Sequence, residues 1–327
     1  MPQQGTDHAP KGQYALSEGQ KDHSNKTKEE LIALCKEQGI KGYSGKKKAD
    51  ILLLLDKKPI ATLIEATSAE TKNVSPLRYP GGKTRAIAIL SSYVSTYFPN
   101  KKVLLSPFFG GGSFELFMTT KGFTVHGNDL FVPLYNFWTT AQSDCDTLAA
   151  AIKEHMPMTK EKFRTMRESI LEEKDMKAAT SYFIINRTSF SGATLCGGYS
   201  QQAAEGRLTE SSIEKLKACD LTAVTFTNLD ANVFLSQHPE TTDTLVYADP
   251  PYYIDTYIYG KNGDMHENFN HAAFADTIKK RSDWIVSYND CEYIRDLYKD
   301  CRIFEAKWSY GMNAKKASSE IIILPPL

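Results

Sequence analysis

Apolar positions along this chain keep two different rhythms. Near the amino end the spacing is helical: Leu31, Leu34 and Cys35 share one face, and Ile51, Leu52 and Leu55 share another. Thr27-x-x-Glu30 is a capping box that starts the first of these helices, and Gly39 is a natural stop. Ser44 and Gly45 restart the chain into the second. Beyond residue 100 short apolar runs take over, at 103–105, 125–129, 224–227, 245–248, 284–288, 303–308 and 321–324, and each reads as a strand. Helical patterns separate them. Ile87, Leu90 and Val94 share a face, followed by 114–120, 133–141, 145–155, the charged run 159–179, Phe274 with Ile278, and 291–299. Strands alternating with helices predict an α/β domain on an open sheet, preceded by a small helical one.

Polar stretches set the boundaries. Residues 1–24 hold too few apolar side chains to order themselves and read as a disordered tail. Residues 25–60 form the small helical domain, 61–74 a linker with a short helix near 60–69, and 75–327 the large domain. No apolar run approaches the ~20 residues a membrane-spanning helix needs, and residues 1–30 lack a signal-peptide pattern. The six cysteines are scattered without a C-x-x-C pair, which argues against a zinc cluster or a disulfide scaffold. His126, His155, His238, His266 and His271 have no metal-ligand spacing. The expectation is a soluble intracellular protein that needs no metal.

Charge matters only locally. Formal net charge is zero, so no global field advertises a nucleic-acid partner. Residues 25–60, however, carry nine lysines against five acids. Lys46, Lys47 and Lys48 stand together at the amino end of the second helix, where they oppose its dipole. A bound phosphate would reverse that sign; a solvated lysine face is the plain alternative. The stretch from Gly42 to Leu52, Gly-x-Ser-Gly-x-Lys-x-x-x-x-Leu at its core, resembles the SAP domain, a helix-extended-helix DNA-binding module. That resemblance implies sequence-poor binding to duplex DNA through the lysines around Gly45.

The large domain opens with Pro76-Leu77-Arg78-Tyr79-Pro80-Gly81-Gly82-Lys83. Gly82-Lys83-Thr84 invites comparison with a nucleotide-binding P-loop, but that motif needs glycine at 77, where this chain has Leu77. The first predicted strand runs into Pro107-Phe108-Phe109-Gly110-Gly111-Gly112-Ser113 and a helix, the layout of a Rossmann-type first unit. Glu115 stands where the dinucleotide fingerprint wants a third small residue, which argues against a pyrophosphate. Asp129 ends the second strand 17 residues beyond Gly112, about where a ribose-binding carboxylate belongs. A nucleoside cofactor without a pyrophosphate fits, and S-adenosylmethionine is the common one. Asp230 is a second acid at a predicted strand end.

Asp249-Pro250-Pro251-Tyr252 follows the strand at 245–248, which must stop because neither proline has an N–H for a ladder. A carboxylate, the Pro250 carbonyl and an aromatic ring are thereby held at a strand's carboxyl end, where open α/β sheets bind ligands. An acceptor pair beside a stacking ring suits a planar amine; a Pro-rich turn is the bland reading. Arg187, Ser189, Ser191 and Gly192 give donors suited to phosphate oxygens, or else belong to polar loops. The basic stretch 311–319 is likewise a surface loop or a DNA-facing one.

Taken in order, residues 76–83, 107–113, a long insertion and 249–252 resemble the adenine-specific DNA methyltransferases of the Dam-type (D12, alpha) class, over about residues 73–327. The resemblance implies a Rossmann-like S-adenosylmethionine-dependent methyltransferase sheet with a helical target-recognition insertion at about 150–222. Tyr79 and Lys83 would touch the methionine end of the cofactor, Phe109, Gly110 and Gly112 would line it, Asp129 would bind the ribose and Asp230 the adenosine base. Asp249 and Pro250 would receive the target amine, with Tyr252 stacked on the extruded adenine. Asn186 to Gly192 resembles the family's backbone-contacting segment, with Ser191 in place of the commoner Asn. Duplex DNA is then the partner, with a cognate restriction endonuclease left open. A cytosine-N4 enzyme, an RNA methyltransferase and a catalytically silent DNA-binding protein on the same scaffold are the alternatives.

Overall fold

In the computed structural model the described residues are 23, 26–37, 40–48, 51, 52, 54, 55, 73–254, 269–309 and 317–326. Nearly all of the tail at 1–24, the short helix expected near 60–69 and the basic loop at 311–316 lie outside them. The chain divides into two compact units, Met1–Pro59 and Ile60–Leu327.

In the small unit α1 spans Lys28–Glu37. Its capping box is formed in both directions: Glu30 N donates to Thr27 Oγ1 at 3.2 Å, and Thr27 N donates to the Glu30 carboxylate at 2.6 Å. Backbone at 48, 51, 52, 54 and 55 is again helical. Leu31, Cys35, Ile51 and Leu55 meet in a buried cluster ringed by Ile32, Leu34, Ile40, Tyr43 and Leu52. Lys46, Lys47 and Lys48 are exposed.

The large unit is built on a seven-stranded sheet in the order β3-β2-β1-β4-β5-β7-β6. The strands are β1 Val103–Ser106, β2 Thr124–Asn128, β3 Val224–Thr227, β4 Thr244–Ala248, β5 Trp284–Asn289, β6 Arg302–Ser309 and β7 Ala317–Leu324. The first five run parallel, while β7 lies antiparallel between β5 and β6. All five residues of β4 are buried, which is why it reads as a continuous apolar run rather than an alternating one. The chain winds outward one way from β1 and the other way from β4, so a crevice opens at the carboxyl ends of these two strands. Among the described residues no helix is long and apolar enough to cross a membrane.

Helices cover the sheet. α2 (Ile87–Tyr97) precedes β1 and α3 (Ser113–Thr120) links β1 to β2. Between β2 and β3 the chain forms α4 (Val132–Ser143), α5 (Cys145–Glu154), α6 (Lys160–Ser169), α7 (Asp175–Thr188), α8 (Gln201–Arg207) and α9 (Glu210–Lys217). α10 (Ala231–Gln237), α11 (His271–Ile278) and α12 (Glu292–Leu297) follow.

Two sequence expectations change here. The charged run 159–179 is not one helix, because α6 ends at Ser169 and α7 begins at Asp175. Residues 182–188, read as the start of a donor-rich loop, complete α7, and every residue from Ala178 to Thr188 is buried. Phe183 stacks on Phe137 of α4 with ring centroids 5.8 Å apart. Packing against α4 therefore overrides the polar look of Asn186, Arg187 and Thr188.

One side chain knits the parallel strands together at the crevice. Asn128, 1% exposed at the end of β2, donates from Nδ2 to the Pro107 carbonyl at 3.1 Å and the Leu229 carbonyl at 2.9 Å. Its Oδ1 accepts from Thr227 Oγ1 at 2.8 Å and Leu229 N at 2.9 Å. The chains leaving β1 and β3 are thus both tied to β2. Truncation orphans several buried groups, each costing about 1–3 kcal/mol. Asn128→Ala is expected to lose roughly 3 kcal/mol of unfolding free energy in urea denaturation.

Candidate active site

The crevice between the ends of β1 and β4 is a cavity whose lining includes Tyr79, Lys83, Phe109, Gly110, Gly112, Asp129 and Asp249. These residues come from four separate stretches of sequence, and the fold brings them together. Pro250 and Tyr252 adjoin it, while Pro251 reaches the lining.

The glycine turn is shaped by two rings. Gly110 and Gly112 have φ of +51° and +64°, values that favour glycine. A Cβ on Gly111 would stand 2.6 Å from Tyr79 Cβ, and one on Gly112 2.4 Å from Phe109 Cε1. One on Gly127 of β2 would meet the same Phe109 ring at 2.5 Å. Phe109 is 2% exposed and meets Trp138 and Phe226 edge-on at 5.2 and 5.0 Å. Its main work is to lock the turn between β1 and β2.

Asp129 closes the turn from the other side. Its Oδ2 accepts from Gly110 N at 2.8 Å and its Oδ1 from Phe131 N at 3.0 Å. Burial outweighs these two bonds and pushes its carboxyl up to about 6. Asp230 is placed differently: it caps α10, accepting from Asn232 N at 2.8 Å and Val233 N at 3.3 Å, and is not part of the cavity lining.

At the β4 end Lys83, 4% exposed, donates to Asp249 Oδ2 at 2.6 Å and to the Gly81 carbonyl at 2.9 Å. Ser287 Oγ donates to the other Asp249 oxygen at 2.8 Å and lies 3.1 Å from the Tyr247 hydroxyl. Tyr252 donates its hydroxyl to Glu320 Oε2 at 2.7 Å, and the Lys83 ammonium lies 5.1 Å from the Tyr252 ring centre. Asn289 holds the next residue by both backbone groups, accepting from Tyr253 N at 2.9 Å and donating to its carbonyl at 2.8 Å.

Sequence reading missed Ser287, Asn289 and Glu320. Ladder register explains their arrival: Ala248 pairs with Val286, and Asn289 with Glu320, so β5 and the reversed β7 deliver them to the same edge as Asp249. The available signal was Glu320 itself, a lone acid leading into Ile321-Ile322-Ile323-Leu324. Glu115 was noticed only as a departure from a fingerprint. It lies 3% exposed in the cavity wall, accepts from Ser106 Oγ at 2.8 Å, and burial pushes its carboxyl up to about 8.

The expected phosphate donors are distributed otherwise. Arg187 is 9% exposed, donates to the Pro76 carbonyl, and lies 5.5 Å from the Phe183 ring centre. Ser189 is fully buried and its Oγ accepts from Thr194 N at 3.1 Å. Both are oriented inward because α7 is a core helix. Asn186 pairs with the backbone of Arg78 in both directions, at 3.0 and 2.6 Å, and a Cβ on Gly192 would stand 2.6 Å from the Arg78 carbonyl. This segment props the strand of chain that presents Tyr79. Of the expected donors Arg187, Ser189, Ser191 and Gly192, only Ser191 is exposed, with φ of +56°. Lys46, Lys47 and Lys48 belong to the small unit.

No curated protein matches the chain. A family model described as D12 class N6 adenine-specific DNA methyltransferase matches residues 79–312, most of the large unit and well over half of the chain. The members use S-adenosylmethionine and act on an adenine turned out of the helix. The donor chemistry of the cavity lining fits such a cofactor, with a glycine turn and the carboxyl groups of Glu115, Asp129 and Asp249. The cytosine-N4 and RNA readings give way to this match. The chain belongs to the D12 class of N6 adenine-specific DNA methyltransferases, enzymes that methylate adenine N6 in DNA.

Proposed function

We propose that Asp249 and the Pro250 carbonyl receive the exocyclic amine of an extruded adenine, with Tyr252 stacked on its ring, beside a methyl donor held by Tyr79, Lys83, Gly110, Gly112 and Asp129. The observation that carries this reading is the bracing of Asp249, whose two oxygens are fixed by Lys83 and Ser287 at 2.6 and 2.8 Å. Two carboxylate oxygens offer about four lone-pair sites, so Asp249 can accept an N6 hydrogen without giving up either partner.

S-adenosylmethionine supplies an electrophilic methyl group on a sulfonium. Adenine N6 is a poor nucleophile because its lone pair is conjugated into the ring. Acceptors on both N6 hydrogens draw the nitrogen toward a tetrahedral geometry and aim its lone pair, an alignment that contributes several kcal/mol. Flipping the base out costs a few kcal/mol, and stacking on Tyr252 offsets about 1–3 kcal/mol of it. Glu320 supports this role by holding the Tyr252 hydroxyl. With Asp230 occupied as a helix cap, the adenosine end is left to Leu130 and Phe131, which line the cavity beyond Asp129.

Duplex DNA inside the cell is the partner, read by the region 150–222, with sites shared by any cognate restriction endonuclease. The small unit adds affinity without sequence choice, through exposed Lys46, Lys47 and Lys48.

Three outcomes test these assignments. Asp249→Ala should cut tritiated-methyl transfer to duplex DNA at least about a thousandfold while cofactor binding persists; retained transfer would remove Asp249 from the mechanism. Asp129 must be ionised to accept ribose hydroxyls, and its carboxyl sits at about 6. Affinity for S-adenosylmethionine and S-adenosylhomocysteine alike should therefore fall as pH drops below about 6, up to tenfold per unit, and calorimetry with Asp129→Asn should lose that slope. Deleting residues 1–60 should weaken DNA binding and flatten its salt dependence while single-molecule sequencing finds the same methylated sites; altered sites would make the segment part of the reader.

A further inference from the structure

The methyl-transfer assignment uses Asp249 and Asp129 but leaves a third acid of the same cavity without a role. Glu115 sits in the first turn of α3, lines the cavity and is 3% exposed. Its carboxyl accepts from the Ser106 hydroxyl on β1 at 2.8 Å and from its own backbone amide. Lys83, the cation that faces it, is bonded to Asp249 at 2.6 Å, and Asp249 faces Glu115 with a like charge. Tyr247 on β4 faces it as a neutral phenol held far above its ordinary range by burial. On the β2 side His126 is turned to Thr225 Oγ1 at 2.8 Å, and the Asp129 carboxyl that follows the strand is held by the Gly110 and Phe131 amides at 2.8 and 3.0 Å. Glu115 is thus a buried acid in a binding cavity, set among charges that already satisfy each other.

We propose that Glu115 senses the charge of whatever fills the cavity and holds the sulfonium of the methyl donor more tightly than the neutral thioether left after transfer. This rests on the reading of the cavity as the cofactor site. With the cavity empty, burial keeps the Glu115 carboxyl protonated up to about pH 8. A cation placed against it in a water-poor pocket favours the carboxylate, so the proton leaves to solvent on binding. Once the methyl group has gone to N6 the sulfur carries no charge, and the carboxylate has lost the partner that kept it ionised. It then takes a proton back, and the thioether gains nothing from Glu115. The N6 proton released by transfer balances the one taken up, so the cycle as a whole still liberates a single proton.

Calorimetric titration of the full-length protein tests this, using S-adenosylmethionine and S-adenosylhomocysteine from about pH 6.5 to about pH 9 in two buffers of different ionisation enthalpy. Affinity for the sulfonium should rise with pH, level off above about 8, and be accompanied by release of up to one proton. The thioether should show neither effect in this range. Glu115→Gln keeps a side-chain oxygen for Ser106; it should bind the sulfonium about tenfold more weakly with a flat pH profile, and the thioether within about twofold of wild type. Equal weakening of both ligands, or an unchanged ratio, would make Glu115 a packing residue only and overturn the inference. If the wild type binds neither ligand, the cofactor reading itself fails, a result distinct from both.

Discussion

A buried ammonium must find a counter-charge, and the site depends on how Lys83 finds one. At 4% exposure the lysine cannot remain charged in the domain unless paired, since breaking such a pair costs roughly 3–5 kcal/mol. Its partner, Asp249, lies 166 residues further along the chain. Their bond fastens the segment before the sheet to the end of the fourth strand. Glu320 stands 4.0 Å away and Glu115 faces the same lysine, so three carboxyl groups share one cation. Such a pocket cannot keep every carboxyl ionised, and Glu115, with no cation bonded to it in the structure, is the one pushed up to about 8. The cavity lining holds three carboxyl groups, Glu115, Asp129 and Asp249, against one cation, Lys83.

The glycine turn shows a second constraint of the same kind. Three consecutive glycines suggest room for a ligand, yet the nearest atoms above them are protein: the Tyr79 ring over Gly110 and Gly111, and the Phe109 ring over Gly112. Any Cβ there would displace an aromatic ring before it touched a cofactor. Tyr79 is set in turn by its neighbour Arg78, whose backbone is gripped by Asn186 of α7. Helix α7 therefore braces the segment that carries Tyr79 into the cavity wall.

Much of this was legible in the chain because its signals are local. β1, β4 and the end of β7 are short apolar runs, and Asp249-Pro250-Pro251-Tyr252 announces a strand end by removing two backbone donors. What was not legible depends on pairing. Ser287 reaches Asp249 because β5 lies parallel beside β4, and Glu320 reaches Tyr252 because β7 enters the sheet antiparallel beside β5; no local pattern specifies either pairing. Arg187 misled for a related reason. Polar residues at the end of a helix look like exposed donors until packing against α4 is known, and here the guanidinium is bonded to a backbone carbonyl inside the domain. Asp230 was correctly placed at a strand end, but the same position is also the first cap of the following helix, and the local amides claim its oxygen.

Electrostatics also bears on why two units share one chain. Residues 61–327 hold 28 basic and 31 acidic side chains, a formal net charge of −3, so the catalytic unit as a whole has no attraction for a polyanion. Residues 25–60, with nine lysines and five acids, carry +4. The carboxyl groups of the cavity, Glu115, Asp129 and Asp249, therefore lie on a unit whose formal charge is already negative, while the lysine excess belongs to the residues before it.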